Sequence, residues 1–151
     1  MTASVALQTG HVGLNVTDLD RSARFYSQAL GLVTFNSSED AERRFVFLGD
    51  GERLLLTLWQ QSDGRFRHET PGLHHLAFQV GTQDDVARYA DRLKNAGVAI
   101  LHGGPVAHAE GSHSGGIYFE DPDGIRLEIY AATGAEALPA PSGQFPTCGF
   151  F

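Results

Sequence analysis

Cysteine is almost absent from these 151 residues. Cys148 stands alone, so the chain forms no internal disulfide and carries no CxxC metal pair. Positive charge is short as well. Eleven Lys and Arg stand against eighteen Asp and Glu, a formal net charge of −7, with a pI near 5.4. That balance disfavours DNA, RNA or an anionic membrane as partner. No apolar run approaches the length of a membrane span. The first ten residues lack the basic start and apolar stretch of a signal peptide. These absences point to a cytoplasmic protein that binds neither nucleic acid nor membrane. What remains is an ordinary globular composition, 42% hydrophobic and 19% charged, in a length that suits one domain able to bury its own core.

Glycine is plentiful, with 18 residues that fall at turns and strand ends. Residues 1–9 read as an arm. A strand over about 10–16 leads to Thr17-Asp18-Leu19-Asp20, where Thr17 or Asp18 caps a helix and Asp20 adds negative charge to its first turn. Leu19, Ala23, Tyr26 and Leu30 recur at helical spacing up to Gly31. Strand-like stretches follow at 33–37, 43–48 and 53–59, the last two joined by Asp50-Gly51. A polar connector, 60–72, comes next, and then the order repeats. There is a strand at 73–80 and a helix capped by Thr82 with Asp85 three residues on. Val86, Tyr89, Leu93 and Ala96 hold helical spacing up to Gly97, and strands follow at 98–102, 115–120 and 125–131. Asp121-Pro122-Asp123-Gly124 turns the chain between the last two. Residues 103–114, rich in Gly and His, read as an active-site loop. The chain is a duplicated β-α-β-β-β unit of α+β class. Module one covers 10–59 and module two 73–131, within a single domain 10–131 followed by a tail, 132–151.

His11 and His75 open the first strand of each copy. Side chains alternate faces along a strand. In 11–16, 75–80 and 125–130 one face is an apolar row, and the other carries His11, His75 and Glu128 in turn. Two imidazoles and one carboxylate are the donor set of a divalent-metal site with open positions. Counted on from the turns, Leu55 matches Glu128, so module one offers no second carboxylate. Leu55, Thr57 and Trp59 make a largely apolar wall suited to an aromatic ring. Arg126 and Tyr130 share the face of Glu128 and are candidates for binding substrate. Taken singly, each of these reads as a polar side chain at a strand end. The repeat-matched set is what points to a metal. Nothing singles out His68, His74 or His102.

Asp18-Leu19-Asp20-Arg21-Ser22, Phe25-Tyr26 and Leu30-Gly31-Leu32 form one group of signatures, and Tyr118-Phe119-x-Asp121-Pro122-Asp123-Gly124 before Glu128 forms another. Together they resemble the vicinal oxygen chelate superfamily: glyoxalase I, fosfomycin-resistance proteins, methylmalonyl-CoA epimerase, extradiol dioxygenases and bleomycin-binding proteins. The likeness covers about 10–131. It implies two βαβββ modules paired in a curved, incomplete β-barrel around a metal held by His11, His75 and Glu128. With no fourth ligand at Leu55, the site looks like that of the extradiol dioxygenases and fosfomycin thiol transferases. The former resemblance implies Fe(II) or Mn(II), with Ni, Co or Zn also suited to the triad, and a small aromatic or enediol-type substrate. It also implies that Tyr118 hydrogen-bonds the substrate and that His113 or His108 moves protons. The spacing to Tyr118 is too short for one histidine and slightly long for the other. A homodimer is implied by the same likeness. The alternatives are a metal-dependent isomerase, lyase or thiol transferase, and a metal-free drug-sequestering protein. Phe145, Phe150 and Phe151 of the tail are expected to cover a cleft or a dimer seam, since exposed Phe-Phe is costly.

Overall fold

The structure, a computed structural model, describes residues 4–151; the first three residues of the arm lie outside the described residues. Residues 4–11 form neither helix nor strand. The elements then run β1 Val12–Val16, α1 Leu19–Leu30, β2 Val33–Ser38, β3 Phe45–Gly49, β4 Leu54–Gln60, β5 Leu76–Val80, α2 Gln83–Asn95, β6 Leu101–Ala107, β7 Gly115–Glu120 and β8 Arg126–Ala131. This is β-α-β-β-β twice over, an α+β fold of two four-stranded mixed sheets, ordered β1-β4-β3-β2 and β5-β8-β7-β6. The chain divides into two compact units between Gly64 and Arg65. Among the described residues no helix is long and apolar enough to cross a membrane.

In the first unit β1 runs parallel to β4, which requires a crossover, and α1 supplies it. The Asp18 side chain, not Thr17, caps α1 by accepting from the Arg21 N–H at 3.0 Å. Gly31 ends the helix at φ 70°, a left-handed conformation that costs glycine little. Leu19, Tyr26, Ala29 and Leu30 of α1 are buried along with Leu14, Val16, Val46, Leu48, Leu56 and Leu58 of the sheet, the inward row expected from strand alternation.

Strand register corrects one sequence expectation. Val12 pairs with Leu56 and Gly13 with Thr57, while Leu76 pairs with Leu127 and Ala77 with Glu128. His11 and His75 each stand one residue ahead of these strands, so the counterpart of Glu128 is Thr57, not Leu55. Counting from the turns slips by two residues: one comes from the irregular β3–β4 ladder between Leu48 and Gly49, and one from the turn, since Gly51 stands three residues before Leu54 and Gly124 two before Arg126. A Cβ on Gly49 would lie 2.0 Å from the Arg53 carbonyl oxygen, so glycine is what lets the chain fold back so closely. The conclusion that module one lacks a second carboxylate is unchanged.

In the second unit β8 lies between β5, to which it is parallel, and β7, to which it is antiparallel. Val86, Ala90 and Leu93 of α2 are buried, as are Ile117, Phe119, Leu127 and Ile129 of the sheet. The β7–β8 turn is held by Asp121, whose Oδ1 accepts from the N–H groups of Asp123 at 2.8 Å and Ile125 at 2.9 Å. The strand expected at 98–102 is instead β6, and residues 103–107 belong to it, which leaves only 108–114 as loop. His102 at φ 61° and Gly103 at φ 78° form an irregularity where the β6–β7 register breaks between Leu101 and Val106. Local glycines signalled a loop, whereas the strand absorbs them as a bulge.

The tail docks on this unit, though not through all three phenylalanines. Ala107 N–H donates to the Pro139 carbonyl at 2.8 Å, Glu110 N–H to Gly143 at 2.7 Å, and Thr147 N–H to His108 at 2.7 Å. The Thr147 hydroxyl donates to the Ala107 carbonyl at 2.8 Å. Thr147 is buried and Phe151 half-buried, while Phe145 and Phe150 are exposed.

Candidate metal centre

Glu128 is central to the second unit, with Ala77 of β5 on one side and Tyr118 of β7 on the other. Because Leu127 and Ile129 belong to the buried row, alternation turns Arg126, Glu128 and Tyr130 to the opposite face. The carboxylate is only 3% exposed, and its two oxygens have different partners. Oε2 lies 3.3 Å from His75 Nε2. Oε1 accepts a short hydrogen bond from His108 Nε2. A carboxylate only accepts, so His108 carries a hydrogen on Nε2, and its Nδ1 shares a hydrogen bond with the Ser114 hydroxyl at 2.7 Å. His75 Nδ1 is 2.8 Å from His74 Nδ1, so one of that pair donates to the other. The repeat favours His75 over His74 in the sequence, and Ser114 is not singled out there. The His74-His75 doublet was a visible signal for His74, and nothing local marked Ser114.

Neighbouring donors on one divalent ion, each at roughly 2.0–2.2 Å, stand about 3 Å apart. The 3.3 Å between His75 Nε2 and Glu128 Oε2 suits two adjacent positions, with His108 holding the other carboxylate oxygen as an outer partner would. His11 stands exposed, one residue ahead of β1, in the first unit. Among the described residues no group of three or more His, Cys, Asp or Glu is arranged to hold a metal ion.

Of the two loop histidines only His108 reaches Glu128. His113 is exposed, and its Nδ1 pairs with Glu136 Oε1 at 2.6 Å. Tyr118 is fully buried, and its hydroxyl faces the Glu128 carboxylate across the β7–β8 pair without closing a well-formed hydrogen bond to it. Burial first, and then the Glu128 charge, push that phenol far above its usual range, so it remains a neutral donor. The Tyr130 hydroxyl donates to Gln79 Oε1 at 3.2 Å. The Arg126 guanidinium lies over the Phe151 ring, 5.4 Å from its centroid. In the first unit Trp59 Nε1 donates to the Thr57 hydroxyl at 3.0 Å, and its ring meets Phe45 at 5.3 Å and Phe47 at 5.8 Å. Phe45 and Phe47 thus add aromatic surface beside Trp59 in the first unit.

Burial holds His75 below its ordinary value of 6.5, against the pull of Glu128, and His74 and His108 add to the lowering. Folded chains thus bind this proton less readily than unfolded ones. The His75 contribution to stability is complete above pH 6.5 and is lost as the pH falls toward the lowered folded value. Urea midpoints of metal-free protein are expected to drop between about pH 7.5 and pH 5.5, and His75→Gln to flatten part of that slope. An unaltered slope in the variant would refute the assignment.

The model of the Glyoxalase/Bleomycin resistance protein/Dioxygenase superfamily matches residues 8–129. The chain belongs to this superfamily. It is 32% identical over 124 residues to the catechol-2,3-dioxygenase of Bacillus subtilis, covering 81% of this chain and 40% of that protein. It is also 32% identical over 131 residues to the lactoylglutathione lyase of Haemophilus influenzae, covering 82% of this chain and 91% of that protein. The superfamily domain thus spans about two fifths of the dioxygenases it matches and nearly all of the lyase. Among solved structures, a glyoxylase/bleomycin resistance protein/dioxygenase domain from Frankia shares 27% identity at a TM-score of 0.72, covering 85% of this chain and 99% of that one.

Proposed function

We propose that the chain is a divalent-metal-dependent enzyme of the extradiol-dioxygenase type, acting on a small dihydroxylated aromatic compound. The observation that carries this reading is the buried Tyr118 hydroxyl beside the Glu128 carboxylate, on the strand paired with that of Glu128. A buried O–H needs an acceptor, and with the Glu128 carboxylate committed to an ion a substrate oxygen would supply it. The ligands in this reading are His75 and Glu128 of the second unit, with His11 named from its repeat-matched position in the sequence alone. Fe(II) or Mn(II) suits a two-histidine, one-carboxylate set. The names of the relatives support the choice, since one is a manganese-dependent 2,3-dihydroxybiphenyl 1,2-dioxygenase, 28% identical to this chain. Bound there, the ion supplies Lewis acidity and open positions for a bidentate substrate and O₂. His108 keeps Glu128 Oε1 occupied, which leaves Oε2 for the ion. Its Nε2–H is the proton the site can deliver or take back. Tyr118 donates to the substrate oxygen and, being held neutral, does not compete for its proton.

Tyr118→Phe separates this role from a structural one. Turnover with catechol is expected to fall about 10- to 100-fold, the worth of one hydrogen bond to a charged oxygen. Stability is expected to stay within about 1 kcal/mol of wild type, because the hydroxyl that leaves the core makes at most a poorly formed bond to Glu128. Steady-state kinetics and thermal melts on one preparation check both. Unchanged turnover would demote Tyr118 to packing.

The second reading is a metal-dependent lyase or isomerase. Its support is length, since the chain covers 91% of the Haemophilus lyase but 40% of the Bacillus dioxygenase. The test is elemental analysis of protein prepared anaerobically with iron and manganese, followed by two assays. Uptake of O₂ with catechol supports the first reading. Formation of S-lactoylglutathione from methylglyoxal and glutathione without O₂ uptake supports the second. Absence of stoichiometric metal leaves a small-molecule-binding protein. We also infer a homodimer, supported by the exposed edge strand β2 with its bare Val33 and Phe35. A monomeric mass by light scattering would refute it.

A further inference from the structure

The segment 139–151 carries one ring into the site of the second unit. The Phe151 ring lies 5.0 Å from Tyr118, edge to face, and 5.7 Å from His75 with planes 33° apart. The Arg126 guanidinium sits 5.4 Å from its centroid, within cation–π range. Three side chains thus grip one aromatic ring. Two of them bring a buried donor, Arg126 Nε without a partner and the Tyr118 hydroxyl without a well-formed bond to the Glu128 carboxylate it faces. A phenylalanine ring fills the slot and offers neither donor an acceptor.

We propose that this slot is a binding site for a single aromatic ring bearing acceptor oxygens, and that Phe151 is an internal occupant which such a ligand displaces. The proposal deepens the reading above and rests on it for the identity of the face. The strap that carries the ring is firmly anchored: Thr147 is buried and tied to the carbonyls of Ala107 and His108. Gly149 and Phe150, between anchor and ring, are exposed, so the ring can leave while the strap stays. A cavity of about 460 Å³, lined by Ile100, Leu101, Phe119 and Phe151 with Glu120 and Asp121 at its side, offers mainly apolar surface where the displaced ring can rest. Self-occupancy lowers the apparent affinity for an aromatic ligand by the fraction of chains in which the slot is open.

The experiment is an anaerobic titration of metal-free full chain with catechol, for wild type, Phe151→Ala and Phe151→Leu. Without metal nothing chelates and nothing turns over. Phe151→Ala is expected to bind about tenfold more tightly than wild type, and Phe151→Leu to fall between. In wild type labelled with ¹³C in its phenylalanine rings, the Phe151 signals are expected to move from ring-current-shifted to solvent-like positions at saturation. Equal or weaker binding by a folded Phe151→Ala chain overturns the proposal, as do Phe151 signals that stay put at saturation. Should the alanine variant not fold, the labelled wild type decides alone. A chain that takes up no metal yet releases Phe151 to catechol would refute the enzyme reading and leave this one standing.

Discussion

Glu128→Gln is expected to remove stoichiometric divalent metal and turnover together while leaving the fold in place. Glutamine keeps the shape of the side chain but presents one oxygen and one NH₂. The oxygen is needed opposite His108 Nε2–H, which otherwise loses its acceptor in a half-buried position. The NH₂ then points toward His75, where a metal needs a lone pair and finds hydrogens. Loss of an outer partner commonly costs 10- to 100-fold in metal affinity, so loss of an anionic ligand is expected to exceed about a hundredfold. Metal-free stability is expected to change by no more than about 1–2 kcal/mol, the scale of one altered hydrogen bond. Two measurements separate these effects. Elemental analysis after dialysis reads the metal. Thermal melts with and without Mn(II) read linkage, about 2.7 kcal/mol for wild type at a hundredfold excess over the dissociation constant and near zero for the variant. A variant that keeps one metal per chain would take Glu128 out of the donor set.

Leu127→Ala is expected to give the largest loss of stability, about 2–5 kcal/mol, or a melting temperature lower by roughly 5–15 °C for a chain of this size. Leu127 is fully buried on β8, with β5 on one side and β7 on the other. Its neighbours in the ladder, Leu76 and Phe119, belong to strands fixed by their own pairing, so the gap left by truncation closes only in part. Removal of the side chain therefore costs both transfer energy and cavity energy. Leu101 provides the contrast: it is 38% exposed, and Leu101→Ala is expected to stay within about 0.5 kcal/mol of wild type. Urea unfolding of both variants checks the pair, and equal midpoints would show that the second sheet does not pack as described. The Leu127 effect also bears on the site, because the strand that buries Leu127 on one face holds Glu128 on the other.

The duplicated β-α-β-β-β order was legible in the chain because its signals are local. Alternation over five or six residues marks a strand, and Asp18, Gly31 and Thr82 mark helix ends through bonds that span no more than five residues. The faces carrying His75, Tyr118, Glu128 and Arg126 follow from the same alternation. Local signals failed where the chain departs from regular geometry. Gly103-Gly104 announced a loop inside what is β6, and a turn with an irregular ladder at Gly49 displaced the count that paired Leu55 with Glu128.

By itself, then, the sequence determined the repeat, the capped helices, and which residues of each strand turn from the apolar row. Only the tertiary structure decided that His108 rather than His113 meets Glu128, that Thr57 is the counterpart of Glu128, and that Phe151 lies against His75, Tyr118 and Arg126. The physical reason is range. A side chain's face is set by the two or three residues around it, whereas its partner is set by the register of strands and the path of a tail. A single bulge or anchoring hydrogen bond far along the chain shifts both, and nothing in the neighbouring residues reports it.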